Sequence, residues 1–163
     1  MSKIHLETII NAPINRVFDL SRSIDLHKVS AAQTNEEAIA GKTSGLIGLG
    51  ESVTWRAKHL GVYQKLTVEI VRMDKPKMFE DVMIKGAFKS MSHIHRFVEV
   101  GSTTKMIDDF EFESPFGIIG KAFNSIFLKN YMIKFLNIRN EEIKHVAESQ
   151  LWQEVLKRKA NTA

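Results

Sequence analysis

Ser90-Met91-Ser92-His93-Ile94-His95-Arg96-Phe97-Val98-Glu99-Val100-Gly101-Ser102-Thr103-Thr104-Lys105-Met106-Ile107-Asp108-Asp109-Phe110-Glu111-Phe112-Glu113 reads as a β-hairpin about Gly101-Ser102. A two-residue loop there sets Phe97 opposite Met106, His95 opposite Asp108 and His93 opposite Phe110, because facing residues of an antiparallel pair share a face. One face then carries Met91, His93, His95 and Phe97 beside Met106, Asp108, Phe110 and Phe112. The other carries Arg96, Lys105, Asp109 and Glu111 and belongs to solvent.

The same alternation extends back to Glu51, with breaks near Gly61, Lys75-Pro76 and Gly86, and predicts a five-strand antiparallel meander. A turn at Leu60-Gly61 pairs Ala57 with Gln64, Trp55 with Leu66 and Val53 with Val68, leaving Arg56, Lys58, Lys65 and Glu69 outside. A four-residue turn over Asp74 to Lys77 puts Phe79, Asp81 and Met83 on the inner face and brings Asp81 close to His93. Two carboxylates and two histidines are thus expected in an apolar concavity, with Trp55, His59 and Gln64 nearby; buried polar groups of this kind must be partnered or wetted.

Upstream, Lys3 to Ile10 predicts a strand ending at Asn11-Ala12-Pro13, with Pro13 in the first turn of a short helix bearing Ile14, Val17 and Phe18 on one face. Ser23 caps a second short helix, and Asn35 to Ala40 forms a short strand. A flexible glycine segment follows. Gly41-Lys42-Thr43 ends like a phosphate loop but has Glu36 where that motif needs glycine, and Gly48-Leu49-Gly50 has Val53 where a dinucleotide fingerprint needs glycine or alanine. Downstream, Phe116 to about Glu148 predicts one long helix. Its main apolar face is Leu128, Tyr131, Met132, Phe135, Leu136, Ile143 and Val146, while Ile119, Phe123, Ile126 and Ile133 lie on the other side.

The chain of 163 residues suits one domain over 1–150, with 151–163 as a helical or frayed extension. It has no cysteine, which excludes a disulfide scaffold, a thiolate metal site and a cysteine nucleophile, and points to the cytoplasm. Charges interrupt the N-terminal residues, so no signal peptide is expected. Lys121, Lys129 and Lys134 interrupt the most apolar stretch, so no transmembrane segment is expected either. The net charge of +4 is mild and lies partly in Lys157-Arg158-Lys159, so no nucleic-acid partner is expected.

The order of strand, two short helices, long meander and long C-terminal helix resembles the α+β helix-grip fold of the SRPBCC superfamily, which includes START domains, pollen allergens and aromatase/cyclases. The resemblance spans nearly the whole chain. Its most recognisable pieces are Ile10-Asn11-Ala12-Pro13-Ile14-Asn15-Arg16-Val17-Phe18 and Ser114-Pro115-Phe116-Gly117. The subgroup most resembled is the bacterial polyketide cyclase/dehydrase-like set. The resemblance implies a curved antiparallel sheet around the long helix and a cavity between them for a hydrophobic ligand. It implies no single reaction, and no residue pattern here matches the aromatase/cyclase active sites.

Candidate ligand-binding residues from the sheet are Trp55, Gln64, Asp81, Met83, His93, His95, Asp108 and Phe110; from the helix they are Tyr131, Phe135 and Arg139. His95 oriented by Asp108 would be the general base of a cyclase or dehydratase. The same pair suits ligand binding, which is preferred because no oxyanion donor or nucleophile is identifiable. Two histidines and two aspartates are also a conceivable ligand set, but the expectation is an internal hydrogen-bond network, with no metal and no cofactor. Arg139 falls on the apolar stripe and is expected to snorkel at its edge. His5, His27 and His145 are expected to be surface residues. The partner is a lipid, quinone, isoprenoid or polyketide-like molecule, and the protein a monomer or weak homodimer. A third possibility is an interaction protein docking through the surplus apolar surface of the helix.

Overall fold

The computed structural model describes the backbone of residues 1–31, 35–59, 61–114 and 118–157, and the side chains of the same residues outside 118–125. Chain order is β1 (Ser2–Ile10), α1 (Ile14–Ser21), α2 (Ile24–Ser30), β2 (Glu37–Gly41), β3 (Ser52–His59), β4 (Val62–Asp74), β5 (Met78–Lys85), β6 (Ser90–Val100), β7 (Thr103–Glu113), α3 (Ile118–Glu148) and α4 (Leu151–Lys157). The strands make one antiparallel sheet in the order β1-β7-β6-β5-β4-β3-β2, so the first strand closes against the last strand of the meander.

The hairpin registers are those the turns dictate. Trp55 pairs with Leu66, Ala57 with Gln64, His95 with Asp108 and His93 with Phe110. Burial follows the alternation: Met91, His93, His95 and Phe97 are buried on β6, and Thr104, Met106, Asp108, Phe110 and Phe112 on β7.

Pro13 sits at the N-cap of α1 and not in its first turn, while the Ser23 hydroxyl caps α2 by accepting from Leu26 N at 3.2 Å. Phe18 of α1 is fully buried, edge-on to Phe79 at 5.8 Å and Phe97 at 5.4 Å, and so pins α1 to the sheet. The glycine segment is tied down, contrary to the expectation of flexibility. Ile24 N donates to Gly45 O at 2.9 Å, Ile47 N donates to Arg22 O at 3.1 Å, and the buried Arg22 guanidinium donates to Ile47 O at 3.0 Å.

Helix α3 buries Met132, Leu136, Ile143, Val146 and Ala147. Its C-terminal end is held to the β1-α1 junction, where Arg16 donates to Ala147 O at 3.0 Å and Asn11 N donates to Glu148 at 2.8 Å. The following α4 places Trp152 under the Arg16 guanidinium, 4.2 Å from the ring centre. On the second apolar side of α3, Ile126 is exposed and Ile133 packs against the core, while Ile119 and Phe123 lie outside the described side chains. No helix among the described residues is long and apolar enough to cross a membrane.

Gly41 lies opposite Val53, next to the register shift between Ala38 and Ala40, with φ of 72°. A Cβ there would lie 2.2 Å from the backbone oxygen of Ser52, whereas one on Gly45, at φ 73°, would meet nothing within 4 Å. Gly45→Ala should cost about 1 kcal/mol for the left-handed backbone alone, and Gly41→Ala about 3 kcal/mol or more by urea denaturation. Equal costs would contradict the described approach of β2 to β3.

Candidate functional site

The concave face of the sheet, α3 and the α1-α2 junction enclose a cavity of about 260 Å3. Val53, Trp55 and Ala57 of β3, Leu66, Val68 and Ile70 of β4, and Phe79 of β5 make one wall, and Leu128, Tyr131, Met132, Phe135 and Leu136 of α3 make the other. These positions are apolar because both elements turn their periodic face inward, every second residue on the strands and every third or fourth on the helix. The size falls just under the ~300–1,000 Å3 of drug-sized pockets, and a mostly apolar lining with a few converging polar groups is their usual character.

One group of polar side chains gathers on β5, β6 and β7. Asp108 is wholly buried; its Oδ1 accepts from His93 Nε2 at 3.0 Å and its Oδ2 from Asn140 Nδ2 at 2.8 Å. His95 Nδ1 stands 2.8 Å from Asp108 Oδ1, outside hydrogen-bonding angle, while His95 Nε2 is 3.1 Å from Asp81 Oδ1. Arg139 comes within 3.6 Å of Asp108 Oδ1 and donates to Ser21 O at 3.0 Å. Phe79 stacks on the His95 ring at 4.2 Å and fixes its plane.

Burial opposes the charge on Asp108, but the two imidazoles outweigh it and hold the carboxyl well below its usual range. The Asp81 carboxyl is lowered too: the hydrogen bond to His95 and the charges of His93, His95 and Arg139 overcome its burial. For His93 burial prevails, helped by the neighbouring His95, and its pKa falls to about 4 despite the two carboxylates. His93 is therefore neutral at pH 7, donating through Nε2 to Asp108.

No protein-family model matches the chain, and no curated protein matches it in sequence. Solved structures match it in fold. A START superfamily protein from Mycobacterium smegmatis superposes with a TM-score of 0.70 at 11% identity, over 91% of this chain and 98% of that one. The Zhui aromatase/cyclase from Streptomyces sp. R1128 gives 0.74 at 12% identity, over 92% and 95%. Ginseng major latex-like protein 151 from Panax ginseng gives 0.67 at 15% identity, over 91% and 98%. The chain shares their helix-grip fold.

Within this helix-grip fold, Trp55, Gln64, Asp81, His93, His95, Phe110, Tyr131, Phe135 and Arg139 line the cavity. Met83 does not; its thioether packs toward Gly86 and Leu66. Asp108 does not either, because His93 and His95 stand between it and the space. It holds both rings from behind. The partners also cross the register: Cα neighbours are His95 with Asp108 and His93 with Asp81, but the hydrogen bonds run His93 to Asp108 and His95 to Asp81. Side chains lean along their strands, so diagonal neighbours come within reach. Arg139 does not snorkel. It is 6% exposed and reaches inward, because Asp108 and Ser21 O offer a buried guanidinium partners that a surface position would lack.

His27 is not a surface residue: it lies 4.3 Å ring to ring from Trp55, lines the cavity and comes within 3.4 Å of Glu36. His5 and His145 are exposed. Asn140 joins the group from α3, and its sequence signal is a polar residue four after Leu136 and three before Ile143 on the buried stripe. His59 and Tyr131 join at 2.7 Å where the lining becomes partly exposed.

Asp81, His93 and His95 each offer a donor atom, all within 4.8 Å of one another.

The lowered His93 pKa fixes a pH dependence. Its folded value, about 4, lies below the unfolded value of 6.5, so the stabilisation is complete above pH 6.5 and is lost as pH falls through 4. In chelator-containing buffer, the urea unfolding free energy should drop by about 3 kcal/mol between pH 7 and 4 on this account, and His93→Gln should flatten that slope. A wild-type profile flat over this range would contradict a neutral, buried His93.

Proposed function

We propose that residues 1–150 act as one domain that binds or carries a hydrophobic small molecule bearing at least one polar group, of the lipid, quinone, isoprenoid or polyketide kind. The observation that carries this reading is the mostly apolar cavity between sheet and α3, whose lining includes a polar group at Asp81, His93, His95 and Arg139. Burying roughly 250 Å2 of apolar ligand surface at about 25 cal/mol per Å2 contributes about 6 kcal/mol before the cost of immobilising the ligand. The polar floor then selects among molecules of similar shape, since a ligand without a matching group would leave buried polar atoms unpaired.

Trp55 reports occupancy directly. In a Trp152→Phe background, leaving Trp55 as the sole tryptophan, a neutral polycyclic or long-chain lipophile should quench its emission with micromolar or tighter affinity. Ala57→Phe, which fills the cavity from β3, should weaken binding at least about tenfold while the fold survives. Failure of a broad lipophile panel to bind, or unchanged binding in Ala57→Phe, would sink the proposal.

A second, catalytic reading keeps Asp108 but takes His93 in place of the expected His95, because His93 makes the hydrogen bond to Asp108 while His95 Nδ1 lies 2.8 Å from Asp108 Oδ1 without one. Cyclisation or dehydration next to a carbonyl would use such a base. An effective base has a pKa near the working pH, and His93 at about 4 lies well below neutrality, which favours binding over turnover.

A further inference from the structure

We propose that Asp81, His93 and His95 form a binding site for a first-row divalent transition-metal ion, open on its cavity side to an oxygen donor of a ligand. Two imidazoles on alternate residues of β6 and one carboxylate from the adjacent β5 approach from one side, and their donor atoms lie within 4.8 Å of one another. Bonds of ~2.0 Å to a tetrahedral ion require donors ~3.3 Å apart, a spacing that His95 Nε2 and Asp81 Oδ1 already meet at 3.1 Å. The His93 donor lies within 4.8 Å of both, and its ring must turn inward to close the set.

Asp108 supplies the support that metal-binding histidines carry. It accepts from His93 Nε2 and abuts His95 Nδ1, so each ring keeps one nitrogen that Asp108 does not use. Asn140 occupies the other oxygen of Asp108 and Phe79 clamps the His95 plane, so the rings are held without help from the ion. The carboxylates of Asp81 and Asp108 both lie near Arg139, and a bound cation would add to the charge that balances them. Nitrogen donors joined by one carboxylate suit zinc, cobalt or iron(II), not calcium or magnesium.

The test uses the full chain, stripped with a chelator, and metal alone, so it is independent of hydrophobic ligand binding. Calorimetric melting with 100 µM zinc or cobalt chloride should raise Tm by about 5 °C or more for a micromolar site. Cobalt should add visible absorption bands that saturate at one ion per chain. Asp81→Asn and His95→Gln should each weaken the cobalt titration at least about tenfold while circular dichroism stays that of the folded protein. His5→Asn, which removes the exposed histidine beside Glu7 and Asp109, should change nothing. Absence of a Tm shift and of cobalt bands, or a titration that survives Asp81→Asn and His95→Gln or is lost in His5→Asn, would overturn the proposal.

Discussion

A carboxylate with no exposed surface has to be surrounded by donors, and Asp108 meets that constraint by joining the sheet to the long helix. His93 and His95 reach it along the sheet face, while Asn140 and Arg139 reach it from α3. Arg139 continues to Ser21 O at the end of α1. One buried charge thus orients four side chains from two layers and a backbone carbonyl from a third element. Deleting one member of such a group leaves the others desolvated and unpaired, a cost of order 3–5 kcal/mol, so the network specifies the geometry more than it adds stability.

The cavity follows from the same arrangement. The helix is held at both the Asp108 network and its C-terminal contacts with Asn11 and Arg16, so the apolar sides of β3, β4 and β5 face α3 across a space that their side chains do not fill. Phe18, lodged against Phe79 and Phe97, closes one flank. The result is an apolar chamber with an electrostatically organised floor, and the three solved structures share the frame that makes it at 11–15% identity.

Much of this is legible in the sequence, for identifiable reasons. The hairpin at Gly101-Ser102 has a loop short enough to leave one register, and alternation then assigns each residue to a face. Alternation does not say which neighbour a side chain leans toward, so the exchange of partners between His93 and His95 is invisible until the rotamers are known. Helical spacing places Arg139 on the inner stripe but is silent about the carboxylate waiting there. His27 shows the same limit: its reason for being partly buried is Trp55 and Glu36, which meet α2 only in the folded chain. Met83 has the inner-face parity of Asp81, yet β5 ends beside it and the register with β4 shifts, so its side chain turns toward Gly86.

The central claim is that a hydrophobic molecule occupies the space between sheet and helix with a polar group on the floor that Asp108 organises. A crystal structure of the protein with a neutral lipophile bearing one carbonyl or hydroxyl tests it most directly. The account predicts density between Trp55 and Phe135, with the ligand oxygen within hydrogen-bonding or metal-bonding reach of Asp81, His93, His95 or Arg139. A chamber closed by its own side chains, with the lipophile absent or on the outer surface, would contradict it.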